Sequence, residues 1–366
     1  MIQVHSGTEV TPGFSSPDVY FLPEYGRAAG LADGGEWLLF EGHEGAWQVP
    51  LILRTLPGGG LDAISPVYTG IFASPSLTPQ QVQEAWAETV DCLRARGVIS
   101  VTLRQSPFLR QVPDLLPGYR ELRSIASGRP TILLEPADEE SAWSGLVGTC
   151  RTRVRKARKN GYTGQIRPAT SQDLLPEADF RRLYEHTMQR IDAVPLFFFG
   201  DDYYKVLLDG LGPDLLLVEV RDEAGVVGAS ALILRDEHCL HYHLTGSNPD
   251  DARMGVNNLM LWTVTEYAVA QGIHRFHLGG GNSPGDSLFH FKHTFGGREL
   301  EYGVSGQIID HDRYQAQTAE RAEACGLSAD ALMELSFFPA YRAGTPGVNA
   351  PKPANLGTVS LQSPQT

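Results

Sequence analysis

Cysteines are few in this sequence, and they form no recognisable motif. The four residues Cys92, Cys150, Cys239 and Cys325 lie far apart, and no two of them make a CxxC pair. This spacing excludes a zinc ribbon, a thioredoxin-type redox motif and a fold stabilised mainly by disulfides. We therefore interpret each cysteine as a small buried hydrophobic residue.

Long hydrophobic runs and a leader segment are also lacking. No window approaches the roughly 20 apolar residues that a membrane helix needs, and the first residues contain no basic region followed by an apolar block. We expect a cytoplasmic protein without a transmembrane segment. The 366 residues carry a net charge of −13 at pH 7, so we expect no DNA partner, although a local basic patch is compatible with that charge.

Common catalytic signatures are missing as well. The sequence contains no GxSxG elbow, no HExxH helix and no Walker loop, so covalent catalysis and metal hydrolysis are poorly supported. His241 and His243 point the same way on a predicted strand, and with His277 they could form a three-histidine zinc site. Because no carboxylate spacing supports that site, we assign no metal. The histidines then form the wall of a polar cleft or belong to the core, and one of them could serve as a general base.

Helical and strand patterns alternate along the chain. The first part has a predicted hairpin at 37–53, a helix from Pro79 behind the N-cap Thr78, and a strand at 98–103. The second part begins near residue 136 with a long predicted helix, and its further elements are helices at 174–190, 201–211 and 257–270, strands at 215–220, 226–234, 239–244, 273–278 and 300–308, and a short helix after a glycine-rich loop.

This order of elements indicates an α/β fold with mixed, largely antiparallel sheets flanked by helices. We place the domain boundary near residue 136, so that the domains are 1–135 and 136–342. The tail 343–366 is rich in Pro, Gly, Ser and Asn and lacks periodicity, and we expect it to be disordered.

A dense basic cluster occupies residues 151–160, where six of ten residues are Arg or Lys and none is acidic. Helical spacing places Arg151, Arg155, Arg158 and Lys159 on one face. Two interpretations are open. The face is either solvated and paired with acidic residues elsewhere, or it binds the phosphates of RNA or of a nucleotide-linked substrate.

A second cluster combines glycines with a lysine. Gly279–Gly281 follow a predicted strand, where the lack of side chains lets a ligand approach the backbone amides. An ordinary tight turn would also need them, and the absence of GxGxxG before a long helix makes a dinucleotide site unlikely on this pattern. Lys292 follows among Phe289, Phe291 and Phe295, either as a snorkelling surface residue or as a cation held at a cleft.

Several segments, taken in order, resemble the FemABX peptidyltransferases. They are Arg155–Gly161, His241–Ser247, Gly255–Leu259, Phe276–Gly281 and Ser287–Gly296. The order and spacing of these motifs cover about residues 136–310, and Asp62–Pro66 weakly resembles the first domain of the family.

The resemblance implies two tandem GNAT-like acyltransferase domains, the second of them catalytic. It implies an aminoacyltransferase that moves an amino acid from aminoacyl-tRNA to an amine of a peptide or peptidoglycan precursor, in cell-wall bridge synthesis or in tailoring of a peptide metabolite. The Phe-Lys pair of the family corresponds to Phe291 and Lys292, and with His243 these are our catalytic candidates. Aminolysis of an ester fits such a site, since it requires alignment, a proton acceptor and stabilisation of an oxyanion.

The remaining site residues follow from the same motifs. The substrate-binding candidates are His241, Tyr242, Asn257, Asn258, Gly279, Gly280, Gly281, Asn282 and Asp286. The candidates for contact with tRNA phosphates are Arg151, Arg155, Lys156, Arg158 and Lys159.

The nature of the acyl donor leaves alternatives open. An acetyl-CoA-dependent enzyme of this superfamily needs a (Q/R)xxGx(G/A) loop, and Arg253–Asn258 departs from that spacing. We therefore expect no cofactor, with aminoacyl-tRNA as co-substrate and acyl-CoA as the second candidate donor. A catalytically idle RNA- or ligand-binding protein of the same fold is a third interpretation, and peripheral contact with a membrane-linked substrate also stays open.

Overall fold

The computed structural model describes residues 1–7, 16–281, 285–335 and 337–343. These residues form two compact units. Unit 1 consists of Met1–Arg129 and the described chain from Glu301 onward, and unit 2 consists of Pro130–Leu300. Asn282, a predicted substrate-binding residue, and positions 344–366 of the tail predicted to be disordered lie outside the described residues.

The strands of the described chain are β1 (Gln3–Ser6), β2 (Glu36–Gly42), β3 (Trp47–Thr55), β4 (Leu61–Ile64), β5 (Phe72–Ala73), β6 (Val98–Arg104), β7 (Arg123–Leu134), β8 (Thr163–Pro168), β9 (Leu215–Arg221), β10 (Val227–Arg235), β11 (Leu240–Ser247), β12 (Phe276–Gly280) and β13 (Arg298–Ile308). Its α-helices are α1 (Pro23–Asp33), α2 (Pro79–Ala95), α3 (Val112–Leu115), α4 (Glu139–Gly145), α5 (Gly148–Lys159), α6 (Asp179–Arg190), α7 (Asp201–Leu211), α8 (Pro249–Met254), α9 (Val256–Gln271), α10 (Ser287–His293), α11 (His311–Cys325) and α12 (Ala329–Glu334). None of the helices among the described residues has the length and apolar character needed to cross a bilayer.

Unit 1 contains an antiparallel series of strands, a helix and a returning parallel strand. Strands β1 to β4 pair in order and antiparallel, and β6 lies parallel to β4. The connecting helix α2 begins as predicted at Thr78, whose hydroxyl accepts a hydrogen bond from the Gln81 amide at 3.2 Å while the Gln81 side chain accepts one from the Thr78 amide at 2.9 Å. This reciprocal cap satisfies two amides that the helix leaves unpaired.

Unit 2 repeats this order of elements. Strands β8 to β11 pair antiparallel, α9 follows, and β12 returns parallel to β11, with residues 131–134 of β7 antiparallel on its other side. Because both units show this arrangement with helices on their sheets, the predicted α/β fold with mixed, largely antiparallel sheets is confirmed.

The core of unit 2 explains the position of two of its helices. One sheet face packs with α5 and α9, and this cluster includes Val154, Val218, Tyr242, Leu259 and Phe276. Helix α9 is buried around most of its circumference, since eleven of its residues are buried and seven of these are apolar, as expected for a helix that packs against both a sheet and a second helix.

The structure corrects the predicted domain boundaries. Unit 2 begins at Pro130, before the predicted boundary near residue 136, and it ends at Leu300. Residues 301–342, which the prediction placed in the second domain, belong to unit 1 because β13 pairs antiparallel with β6. Such a pairing joins residues about 200 positions apart in sequence, and local patterns carry no information about contacts at that separation.

Two smaller predictions were also wrong. The single long helix predicted after residue 136 is two helices, since α4 ends at Gly145 and α5 begins at Gly148. Among the cysteines, Cys150 and Cys239 are buried as expected, but Cys92 and Cys325 are half-buried.

A buried ion cluster in unit 1 leads to a stability prediction. Asp62 is 1% exposed, and its carboxylate accepts hydrogen bonds from Arg54 at 2.9 and 3.0 Å and from Arg342 at 2.8 Å. Removing one member of a buried charge set leaves the others uncompensated, which costs about 3–5 kcal/mol. We therefore expect D62N to lower the free energy of unfolding by about that amount in urea titrations. D91N, at an exposed carboxylate paired with Arg94, is the control, and equal effects of the two variants would contradict the prediction.

Candidate functional site

The sheet of unit 2 opens between its two parallel strands. The register of β11 and β12 contains two residue pairs, Leu240 with Phe276 and His241 with His277. Beyond these pairs β11 continues to Ser247 alongside β10, while β12 continues to Gly280 alongside β7. We call the divergence after His241 and His277 the fork. Main-chain groups on the facing edges of two diverging strands are suited to a ligand, since each strand has lost its neighbour there.

A β-bulge coincides with the fork. On the β10 side, Leu232 pairs with Leu244 and Ile233 pairs with Tyr242, so His243 is the extra residue of β11. A bulge bends a strand and increases its local twist. The bulge therefore accounts physically for the departure of β11 from β12, and it places His243, a predicted catalytic residue, at the fork.

The surroundings of His243, a catalytic candidate, weigh against a role as a general base. Its Nε2 lies 2.7 Å from the hydroxyl of Tyr203 in α7, and the two rings stack at 6.4 Å between centroids. Burial, with His241 as a second cause, lowers the pKa of His243 to about 3. Such an imidazole is a weak proton acceptor at neutral pH. Sequence analysis missed Tyr203, because nothing in the pattern of α7 distinguishes it from a core residue.

The other two histidines are also buried, and each has a different electrostatic environment. Burial alone lowers the pKa of His241, but Cys239 and the Asp236 carboxylate, 3.1 Å from Nε2, together raise that pKa above its ordinary value. Burial, together with His241 and Lys292, lowers the pKa of His277 well below its ordinary value. His241 and His277 meet edge to face at 5.8 Å between centroids. Within the described part of the chain, no three His, Cys, Asp or Glu residues are grouped so as to hold a metal ion.

The lowered pKa values of His243 and His277 predict an acid-sensitive unit 2. The folded state keeps His243 neutral down to about pH 3, whereas the unfolded chain protonates the same imidazole near pH 6.5, so the unfolded state binds more protons between these values. Stability from this residue is therefore complete above pH 6.5 and decreases as the pH falls, by up to about 1.4 kcal/mol per pH unit.

We expect H243Q to flatten the fall in unfolding free energy between pH 7 and pH 5, measured by urea titration at each pH. His238, which is exposed on the turn before β11, offers the matched control H238Q. An unchanged pH dependence in H243Q would mean that this imidazole titrates normally in the folded protein.

Lys292 lies at the fork and is completely buried. Its Nζ donates a hydrogen bond of 2.6 Å to the main-chain oxygen of Gly280 in β12 and lies 5.8 Å from the ring centroid of Tyr242 in β11. The amine thus contacts both diverging strands, which excludes the snorkelling interpretation of this lysine. Burial lowers the pKa of Lys292 well below its ordinary value, although Asp286 acts in the opposite direction. In either protonation state the amine retains N–H groups that can donate to an anion or an oxyanion.

Three predicted site residues near Lys292, namely Phe291, Asp286 and Gly281, each make different contacts. Phe291 is half-buried and packs against the unit 2 core, with its ring edge to face with Phe295 at 5.6 Å. Asp286 caps α10 by accepting a hydrogen bond of 2.8 Å from the Phe289 amide. A side chain at Gly281 would force Asp286 to move, because its Cβ would lie 2.1 Å from the Asp286 carboxylate. The contact with Asp286 therefore gives a reason for glycine at this position that involves no ligand. Ligand binding by Gly279–Gly281 stays a prediction.

The start of α9 contains two further predicted residues. Asn257 donates to Ser247 Oγ at 3.3 Å, and its buried Oδ1 accepts no hydrogen bond from the described residues. Asn258 donates to Cys150 Sγ at 3.4 Å. Gly255 precedes both with φ +98°, and a Cβ there would lie 2.4 Å from the main-chain oxygen of Arg153 in α5. Both amides therefore connect α9 to its neighbours, and this position needs glycine.

The basic helix α5 does not present its cations as one unpaired row. Arg151 donates to the main-chain oxygen of Ser144 at 3.0 Å, and Lys156 donates to that of Arg253 at 2.8 Å. The other three predicted tRNA contacts are exposed at the surface. The Arg155 guanidinium lies 5.3 Å from the Trp143 ring centroid, and Arg158 pairs with Glu266 at 2.5 Å. Lys159 is the third of these residues. The first interpretation, a solvated face paired with acidic residues, thus holds for Arg158.

Helix α5 and the lysine-bearing helix α10 are joined at their ends. The Val147 amide, at the N-cap of α5, donates to the main-chain oxygen of Thr294 at 2.9 Å, and Thr294 is two residues after Lys292. With a rise of about 1.5 Å per residue, the helix extends the basic cluster about 18 Å from this junction. The structure therefore brings together the fork, Lys292 and the beginning of the basic helix within unit 2.

Comparison with known proteins identifies the type of fold. A family model described as an acetyltransferase (GNAT) domain matches residues 148–293. No curated protein matches the chain in sequence. The crystal structure of FemX has a TM-score of 0.64 at 15% identity and covers 82% of this chain and 95% of that chain.

Two further structures are similar at a lower level. The C-terminal domain of a putative lysylphosphatidylglycerol synthetase from Agrobacterium fabrum has a TM-score of 0.54 at 15% identity, over 76% of this chain and 87% of that chain. L-PGS from Bacillus licheniformis has a TM-score of 0.50 at 12% identity, over 75% of this chain and 84% of that chain. At these identities the likeness concerns the fold alone. Residues 148–293 form a GNAT-type acyltransferase domain, and the chain as a whole has a fold of the FemABX type.

Proposed function

We propose that this protein transfers an amino acid from aminoacyl-tRNA to an amine of a peptide or peptidoglycan precursor. The observation that carries the proposal is the buried amine of Lys292, which contacts both strands of an open fork in a GNAT-type domain. Exposed basic residues of α5, a helix joined to α10, lie in the same unit. An acyl ester attached to a polyanion would use both features.

The chemical step needs few protein groups. The acceptor nitrogen attacks the ester carbonyl carbon, the new C–N bond forms, and the C–O bond to the ribose oxygen breaks. The nitrogen loses one proton and the ribose oxygen gains one, so that no cofactor takes part in the balance. Lys292 would donate an N–H to the carbonyl oxygen while that oxygen carries negative charge, a contribution that a preorganised donor makes most strongly in a buried site.

The exposed cations of α5 suit the phosphates of the donor. Arg158 is half-exposed and pairs with Glu266 at the surface, and a surface ion pair contributes only about 0–1 kcal/mol. A polyanion can therefore replace Glu266 as its partner at little cost. Arg155 and Lys159 are exposed on the same helix, and each neutralised phosphate releases counterions, which favours binding at low salt.

Coenzyme A, the donor that GNAT domains imply, fits the start of α9 poorly. A pyrophosphate there would have to reach main-chain amides without obstruction. At Gly255, however, the main-chain oxygen of Arg153 lies where a side chain would otherwise be. A carbonyl oxygen repels an anion. Arg153 and Lys156, the cations next to this position, donate instead to the main-chain oxygen of Arg253. These contacts favour a donor other than acyl-CoA.

We define the class of acceptor more broadly than the class of donor. FemX, L-PGS and a domain of a putative lysylphosphatidylglycerol synthetase share the fold, so an amine on a peptidoglycan precursor, on a peptide metabolite or on a membrane-linked molecule is included. We propose a cytoplasmic reaction, since aminoacyl-tRNA is found in that compartment.

The proposal is tested by incubating the protein with tRNAs charged with radiolabelled amino acids and with candidate peptide acceptors. We expect label to move from tRNA to an acceptor by a ribonuclease-sensitive reaction. A parallel incubation with radiolabelled acetyl-CoA examines the second candidate function, N-acylation from acyl-CoA, which the family description of residues 148–293 favours. Transfer from acetyl-CoA without transfer from tRNA would replace our proposal by that candidate, and transfer from neither would favour a binding protein.

A further inference from the structure

Unit 1 has the strand arrangement that forms the fork in unit 2, but its two parallel strands stay together. Four residue pairs join β4 and β6, from Leu61 with Val98 to Ile64 with Thr102. The contact then continues beyond β4, where the Ser65 amide donates to the main-chain oxygen of Thr102 at 2.9 Å and a parallel bridge joins Thr69 with Gln105. In unit 2 the corresponding strands separate after two pairs.

The consecutive side chains of Arg104 and Gln105 help to hold these strands of unit 1 together. Arg104 donates to the main-chain oxygen of Ser65 through Nε at 2.9 Å and through Nη2 at 2.6 Å. The Gln105 amide forms a two-bond pair with Ile71, accepting from its amide at 2.9 Å and donating to its carbonyl at 2.7 Å. This pair has the geometry of strand pairing, with a side-chain amide in the place of a neighbouring peptide group.

The chain is shaped to admit the Gln105 side chain. Gly70 has φ +71°, and a Cβ at that position would lie 2.2 Å from Gln105 Oε1. Gln105, Ser65 and Thr69 are all buried. An amide buried in this way saturates main-chain groups that would otherwise need water or a ligand.

We infer that the fork of unit 1 is closed from within by Arg104 and Gln105, so that the described residues contain one acyl-donor slot, at the fork of unit 2. The term donor rests on the proposed function, whereas the closure of unit 1 does not. The side-chain amide of Gln105 bonds main-chain groups of unit 1, as an amide-containing ligand would do between two diverging strands. Unit 1 is therefore a copy of the acyltransferase fold that does not bind donor.

Hydrogen exchange of the full chain tests the closure directly. In the wild type we expect slow exchange at the Ile71 amide, and in Q105A we expect an acceleration of about tenfold or more, because this amide loses its buried acceptor. Q105M fills the space without an amide and is expected to accelerate exchange equally. Q80A, at an exposed glutamine of α2 that donates to Glu84, is the control and should leave Ile71 unchanged.

The number of slots is measured by native mass spectrometry of the wild type. The two probes are coenzyme A and an adenosine that carries an amino acid in 3′-amide linkage, each at saturating concentration. We expect no more than one equivalent of either probe per chain. Binding of two equivalents, or equal exchange of Ile71 in the wild type, Q105A and Q105M, would overturn the inference. If neither probe binds, the proposed function loses support, while the exchange result still decides whether unit 1 is closed.

Discussion

Replacing Lys292 with methionine is expected to reduce the rate of aminoacyl transfer by about 10²–10³-fold, the usual loss when one preorganised oxyanion donor is removed. Methionine has a similar length and tolerates the apolar surroundings of a fully buried site. The main-chain oxygen of Gly280 loses its 2.6 Å partner in this variant. The rate is measured in single turnover, so that chemistry is separated from donor binding.

The matched control is K205M in α7, where the lysine is exposed and pairs with Asp209. We expect this variant to retain the wild-type rate, and both variants to show native far-ultraviolet circular dichroism. A K292M protein with unaltered yield and rate would remove Lys292 from the mechanism.

Replacing Arg155, Arg158 and Lys159 together with glutamine is expected to weaken tRNA binding by about 10²–10³-fold at 0.1 M salt. Each phosphate contact contributes about 0.7–0.9 to the slope of log affinity against log salt concentration. Three lost contacts therefore reduce the slope by about 2–3, and between 1 M and 0.1 M salt this reduction corresponds to two to three decades of affinity. Filter binding or fluorescence anisotropy at four or more salt concentrations gives the slope.

A control with the same change in charge replaces Arg182, Arg190 and Lys205, which lie on α6 and α7 and are exposed. If the control triple lowered the slope as much as the α5 triple, net charge would explain the effect and α5 would have no special role. An unchanged slope in the α5 triple would place the tRNA contact elsewhere.

Local patterns were sufficient for most elements of unit 2. The helix predicted at 201–211 is α7 (Asp201–Leu211), and the helix predicted at 257–270 is α9 (Val256–Gln271). The predicted strands 215–220 and 226–234 differ from β9 and β10 by one residue at their ends. Helix periodicity, caps and turn residues act over a few positions, so a single sequence contains them.

The site was predicted in part. The motif residues led to Lys292 and to the fork strands, and the structure places them together. Tyr203, Arg104 and Gln105 were missed, because their partners His243, Ser65 and Ile71 are 34 to 40 positions away in sequence. The catalytic and binding assignments themselves remain predictions for the experiments above.

Side-chain chemistry and local periodicity were enough to predict a basic helix, a glycine-rich strand end and a lysine in the second part of the chain, and the resemblance to the FemABX family added the GNAT-like fold. Only the tertiary structure showed how far the parallel strands of each unit stay paired. This extent depends on a bulge at His243 in unit 2 and on the Gln105 amide in unit 1. The Gln105 amide bonds a residue 34 positions away, and the bulge sets a register between β10 and β11 that residue periodicity does not specify. The tertiary structure therefore determined which of two similar strand pairs separates.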